Sequence, residues 1–130
     1  MTASSVDRPV PGLEFETFPD RRVVIGRILG GVSPADLSAA EKRIRELLDL
    51  GFVKVIADLS RAERLGSNAL GLLAWYRTEL AKRGGMLILV NPPTVLRRAL
   101  KGTDIGKVFK VAENVEAAMR LATGGTEATG

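Results

Sequence analysis

The 130-residue chain has no cysteine and no histidine. The first absence excludes a disulfide framework, thiol chemistry and Cys/His zinc sites. The second removes the imidazole base that a serine nucleophile needs, and with it triad hydrolysis. Carboxylate-only metal sites survive that cut, but no Asp/Glu cluster has the spacing of a calcium loop, so no metal or cofactor is expected and the chain reads as a non-enzyme. Aromatic residues make up only 5% of the chain. Its interior must therefore rest on Leu, Ile, Val and Ala, as layers of helix on sheet usually do. No apolar run approaches the ~20 residues that span a bilayer, and the opening MTASSVDRPVPG lacks the charged-then-apolar layout of a signal peptide. A cytoplasmic protein with no integral membrane segment is expected. The formal charge of +4 is modest and serves solubility. A basic stripe interleaved with stacking aromatics, which a nucleic-acid binder of this size needs, is missing, so no nucleic-acid partner is expected.

What is present fits one domain with one core. Residues 1–12 and 123–130 are small and polar and read as flexible ends, leaving 13–122 as the ordered domain. Leu13 to Phe18 alternates with a period of two, as a half-buried strand does. Pro19-Asp20 marks a turn, and Arg22 to Leu29 returns as the second arm of a hairpin. Ser33-Pro34-Ala35-Asp36 then announces a helix, with serine as N-cap, proline at the first helical position and an acid near the positive end of the dipole. Leu37, Ala40, Ile44, Leu47 and Leu48 follow at helical spacing, and Gly51 ends the run. Val53 to Leu59 reads as a short strand. Helical period resumes from Ala69, with Leu73, Tyr76 and Leu80 on one side, until Lys82-Arg83-Gly84-Gly85 terminates it. Met86 to Val90 is apolar throughout, as a strand covered on both faces is. Thr94 is placed to cap a short basic helix through Leu100, Val108 to Val111 reads as a last strand, and Asn114 as the cap of a final helix through Leu121. The order is β-β-α-β-α-β-α-β-α. It implies an α/β fold with a mixed sheet of four to five strands, parallel in its later part, and about four helices packed largely on one side.

Between the strand ending Asp58-Leu59 and the helical run from Ala69 lies Gly66-Ser67-Asn68. The plainest role for Ser67 or Asn68 is to cap that helix. A nucleophile elbow is absent, because the stretch is not Gly-x-Ser-x-Gly. A phosphate-cradling loop is also absent, because Gly66 and Gly71 lack the following lysine. A regulatory role does not compete with the cap. A phosphoryl group at a helix N-terminus brings roughly two negative charges towards the positive end of the dipole, which tolerates them. A protein surface docked flush on that spot must desolvate a dianion or leave.

Several stretches, taken in order, resemble the STAS domain of bacterial anti-sigma factor antagonists, from about Val23 to Leu121. They are Val55-Ile56-Ala57-Asp58-Leu59-Ser60, then Ser67 with Leu70-Gly71, then Lys82-Arg83-Gly84-Gly85 before Leu87-Ile88-Leu89-Val90. Asn91-Pro92-Pro93 leading into Thr94 to Leu100 is similar to the family's next loop and helix, and Ile105-Gly106-Lys107-Val108-Phe109 to the approach to its last strand. The resemblance implies a STAS domain over 13–122 and a partner-switching role. An unphosphorylated antagonist binds an anti-sigma factor that is a serine kinase and so frees a sigma factor, phosphorylation releases the kinase, and a phosphatase resets the cycle. It also implies that Ser67 is the phosphate acceptor. The loop departs from the family's Asp-Ser-Ser/Thr-Gly: Gly66 stands for the acid, Asn68 for the second hydroxyl residue and Ala69 for the glycine. Ser33 likewise stands where the family often has an acid.

The expected docking face comprises Gly66, Ser67, Asn68, Ala69, Leu70 and Gly71, with Ser33 and Asp58 beside it. Trp75 projects away from the Leu73 face, either as a partner anchor or covered by another helix, while Leu72 lies nearer the core edge. Asp58 ends a strand where α/β folds put ligands or caps a turn. Arg97, Arg98 and Lys101, with Lys107 and Lys110, form a basic cluster that reads as a solvated face or a dock for acidic groups. An unphosphorylated STAS scaffold, as an accessory subunit of a signalling complex or transport system, is the alternative. Nucleotide or small-ligand binding is the third class.

Overall fold

A computed structural model describes residues 12–29, 33–62, 67–101 and 110–123. Strand β1 (Leu13–Phe18) and strand β2 (Val23–Ile28) form the expected hairpin. They are joined by a 3-10 turn, Pro19–Arg21, closed by Arg22 in the left-handed region at φ 59°. Helix α1 (Pro34–Asp49) starts as its sequence dictates: the Asp36 N–H donates to Ser33 Oγ at 3.1 Å, and Pro34 takes the first helical position. It stops where Gly51 adopts φ 98°, a conformation glycine enters without steric cost. Strand β3 (Lys54–Asp58), helix α2 (Ser67–Lys82), strand β4 (Met86–Val90), helix α3 (Thr94–Lys101), strand β5 (Lys110–Ala112) and helix α4 (Val115–Thr123) complete the chain.

The element order and the α/β class are those read from the sequence, with shifts at the boundaries. Helix α2 begins at Ser67, two residues ahead of its apolar periodicity, so Ser67 and Asn68 lie inside the helix. The residue ahead of the helix, Gly66, lies outside the described residues. Thr94 is a helical residue, because the Arg97 N–H already donates to the Pro93 carbonyl at 3.0 Å and Pro93 holds the cap place. Asn114 does cap α4, accepting the Ala117 N–H on Oδ1 at 2.8 Å. Two residues assigned to the ends belong to the fold: Gly12 accepts the Leu29 N–H at 2.8 Å, and Thr123 closes the last turn of α4 with Oγ1 donating to the Met119 carbonyl at 2.9 Å. The rest of both ends, 1–11 and 124–130, and the strand start at Val108 and Phe109 lie outside the described residues.

The sheet runs β1-β2-β3-β4-β5, with β1 antiparallel and the other four strands parallel. Each parallel neighbour is reached by a crossover that steps the same way. Crossovers are right-handed, so α1, α2 and α3 must share a face. Helix α4 follows the last strand, has no crossover to complete, and packs on the opposite face against β3, β4 and β5. Two cores result. One joins Val24, Val55, Ala57, Leu87 and Leu89 to Ala40, Ile44 and Leu47 of α1, Leu72, Leu73, Tyr76 and Leu80 of α2, and Leu96 of α3. The other joins Val23, Ile25, Ile56, Ile88 and Val90 to Ala118 and Ala122 of α4. Strand β4 is buried on both faces, as its unbroken apolar run requires.

Tyr76 is 5% exposed, and its hydroxyl has no hydrogen-bond partner among the described residues. It lines a cavity of about 30 Å³ walled by Phe15, Gly26, Ile44 and Leu73. Burial pushes this hydroxyl far above the ordinary tyrosine range. Above the unfolded value of about 10, the unfolded chain loses the proton and the folded chain keeps it, so stability falls as pH rises beyond that point. Below it the group contributes no pH dependence. Tyr76 is the chain's one tyrosine, so phenolate absorbance reports it directly. No ionisation is expected until the protein unfolds in alkali. Tyr76→Phe should remove that alkaline loss and raise stability by about 1 kcal/mol, because it deletes an unpaired buried group.

Candidate functional site at the carboxyl edge of the sheet

Because β2 to β5 are parallel, their carboxyl ends share one edge, and every following helix begins there. Ser33, Ser67 and the cap of α4 therefore lie along the same rim. Helices α1 and α2 pack side by side, and both begin at this edge. Ser33 is exposed, with its hydroxyl committed to the cap of α1.

From Ser67 to Tyr76, α2 carries no charged residue, and no acid occupies its first turn. Leu70 is 37% exposed, and Gly71 and Ala74 are exposed, with nothing within 4 Å of where a Gly71 side chain would begin. Ala69, counted in the docking face from sequence, is 2% exposed. It offers a partner no side-chain surface, because the helix turns it onto the sheet with Leu72, Leu73 and Tyr76. Charge on α2 gathers at the other end. There Glu79 pairs with Arg83 at 3.1 Å and Lys82 at 3.3 Å, and Arg83 reaches Asp49 of α1 at 3.5 Å. The hydrogen bond from Arg83, helped by Lys82, holds the Glu79 carboxyl below the usual range.

Trp75 is half-buried against the core beside α1. The Arg45 guanidinium lies 5.0 Å from the centre of its ring, a cation–π contact. The covering helix that the sequence left open is α1. Asp58 is a turn cap: Oδ1 accepts from the Ser60 N–H at 3.0 Å and the Ser60 hydroxyl at 2.6 Å, while Oδ2 stands 3.9 Å from Arg27 Nε. By strand alternation its side chain leaves on the α4 face, away from α2. The structure thus sets the starts of α1 and α2 on one face of the sheet at this rim, while the Asp58 side chain leaves on the other face. Gly66 and Lys107 lie outside the described residues, while Arg97, Arg98 and Lys110 are exposed.

The strand order contains no reversal, so the crevice in which doubly wound folds hold nucleotides does not form. Residues 19–118 match the STAS domain family. The chain belongs to the STAS domain family. A Thermotoga maritima protein named as an anti-sigma factor antagonist is 28% identical over 74 residues, 57% of this chain and 66% of its own length. A Thermotoga neapolitana homologue is 27% identical over 79 residues, 61% of this chain and 70% of its own length. Among solved structures, the Thermotoga maritima antagonist aligns with a TM-score of 0.73 at 22% identity, covering 85% of this chain and 93% of its own. SpoIIAA aligns at 0.71 and 20% in its unphosphorylated form, covering 84% and 96% of the two chains. The phosphorylated form from Bacillus aligns at 0.70 and 22%, covering 84% and 98%. These likenesses establish the STAS fold. Among the described residues no helix is long and apolar enough to cross a membrane.

Sequence reasoning missed one feature of this edge. Beside Asp58, on the α4 face, Glu14, Arg27, Leu29 and Arg61 line a cleft of about 210 Å³. The available signal was Arg27, a charge continuing the Val23, Ile25 face of a strand otherwise buried there.

Proposed function

We propose that this STAS protein is an anti-sigma factor antagonist that binds a serine-kinase anti-sigma factor through the Ser67 loop and the first turns of α2. On this reading phosphate at Ser67 releases the kinase. Relatives named as antagonists, and SpoIIAA known in unphosphorylated and phosphorylated forms, support it at the level of the family. For this chain it is carried by the position of Ser67, first residue of α2 at the start of an uncharged stretch.

The kinase transfers the γ-phosphoryl group of ATP: a Ser67 O–P bond forms, ADP leaves, and the hydroxyl proton passes to a base on the kinase. Ser67 gains roughly two negative charges. The α2 N-terminus accommodates them, favouring an acid by about 0.3–1 kcal/mol, whereas a kinase surface packed over Ser67 must desolvate them. The freed kinase recaptures its sigma factor, and a phosphatase hydrolyses the phosphoserine. The antagonist itself catalyses nothing. The reading puts the protein in the cytoplasm, where sigma factors work.

The test is incubation with ATP and a serine-kinase anti-sigma factor of the same organism, followed by peptide mass spectrometry. One phosphate at Ser67, absent from Ser67→Ala, is expected. Tight kinase binding without that phosphate would remove the switch and favour an unphosphorylated scaffold, in keeping with Gly66 and Asn68 where the family has an acid and a hydroxyl. Failure to bind any such kinase would remove the antagonist reading.

A further inference from the structure

The cleft of Glu14, Arg27, Leu29, Asp58 and Arg61 lies on the opposite face of the sheet from Ser67 and plays no part in the docking described above. Its charges are unequally satisfied. Arg27 is held by Glu16, Nη2 to Oε1 at 2.9 Å, and faces Asp58 at 3.9 Å, so its guanidinium is neutralised from two sides. Asp58 spends Oδ1 on Ser60. Its Oδ2 is beyond hydrogen-bonding length from Arg27 Nε and keeps acceptor capacity. Glu14 and Arg61 are both exposed, and neither has a hydrogen bond or ion pair with a described residue. The cleft therefore presents one unspent negative and one unspent positive charge, with Leu29 as an apolar wall.

A simple anion drawn to Arg61 meets the unpaired Glu14 carboxylate, and a simple cation drawn to Glu14 meets the unpaired Arg61 guanidinium. Only a molecule carrying both charges is attracted at each end. The volume of about 210 Å³ exceeds the roughly 150 Å³ of an engineered cavity that admits benzene, which suits a molecule of amino-acid size. We infer that this cleft is a binding site for a small zwitterion of the aliphatic α-amino-acid class. Arg61 takes the carboxylate, Glu14 and Asp58 Oδ2 take the ammonium, and Leu29 packs against the side chain.

The test is an amide chemical-shift titration of the full chain with L-leucine, beside 4-methylpentanoate and isopentylamine, which keep its side chain and one charge each. Saturable shifts centred on Glu14, Arg27, Leu29, Asp58 and Arg61 are expected with leucine, and roughly tenfold weaker binding with either analogue, the loss of a charge-assisted contact. Arg61→Gln and Glu14→Gln, both at exposed positions, should each weaken leucine binding by a similar factor without shifting the melting temperature. No saturable shift up to the solubility limit of leucine would overturn the assignment. So would 4-methylpentanoate or isopentylamine binding as tightly as leucine, shifts centred elsewhere, or unchanged binding by both variants. None of these results bears on kinase binding at Ser67, so the two readings fail separately.

Discussion

Ser67→Asp is expected to weaken binding of the anti-sigma factor by roughly 100-fold, the cost of about 3 kcal/mol for burying an unpaired charge at a docked surface. The same substitution should leave the melting temperature unchanged or slightly raised. It adds an acid to the first turn of α2, where none stands now, and an acid there is favourable by about 0.3–1 kcal/mol. Ser67→Ala should retain kinase affinity to within about threefold, since a residue outside the central anchors of an interface rarely costs more than 1 kcal/mol. Calorimetric titration of the two variants beside thermal scans separates the partner's response from the fold's. Equal affinity for Ser67→Asp and Ser67→Ala would mean that the docked surface does not cover this position. The uncharged run from Ser67 to Tyr76 is the reason for expecting so large a contrast, because an acid introduced there finds no basic neighbour on its own helix before Arg77.

Gly85→Ala is expected to be strongly damaging, costing about 3 kcal/mol, at the upper end of ordinary overpacking. A methyl group at Gly85 would run into the Val53 carbonyl oxygen and come within 3.0 Å of both Val53 Cβ and Leu80 Cδ2. That carbonyl cannot withdraw freely, because it accepts the Met86 N–H at 3.0 Å where β3 and β4 begin to pair. The Gly85 N–H is itself tied to the Leu80 carbonyl at 2.8 Å. Gly84→Ala provides the contrast. Its backbone stands at φ +71° with nothing within 4 Å of an added Cβ, so only left-handed strain of about 1 kcal/mol is incurred. Thermal unfolding should fall by roughly 12 °C for Gly85→Ala and roughly 4 °C for Gly84→Ala. Equal losses would mean that the β3–β4 junction yields to the methyl group.

Both residues were visible in the sequence, but for different reasons. Ser67 stood out as a polar residue between a strand and an apolar helix, and the family resemblance assigned it a task. Gly85 read only as part of a helix stop, since nothing local distinguishes a glycine that frees the backbone from one that makes room for a neighbour. The same limit explains the shift of α2. Apolar periodicity starts at Ala69 because that is the first apolar side chain of the helix and it is buried, while the backbone had already turned helical at Ser67. Periodicity reports the face that is covered, not the hydrogen bonds that begin the helix. Trp75 was ambiguous for a related reason: its wheel position was legible, but the guanidinium laid over its ring comes from Arg45, thirty residues earlier.

Strand and helix order, the helix start at Ser33-Pro34, the stop at Gly51 and the two-faced burial of β4 follow from the sequence alone. Each depends on residues within a few positions of one another, through capping, backbone freedom or the period of apolar side chains. The pairing of Arg27 with Glu16 and Asp58, the cleft that Arg27 and Asp58 share with Arg61, the room required at Gly85 and the common edge on which α1 and α2 begin were decided only by the tertiary structure. These depend on which strands become neighbours and which helix starts share an edge, and that is set by the direction of the crossovers and by burial summed over the whole sheet.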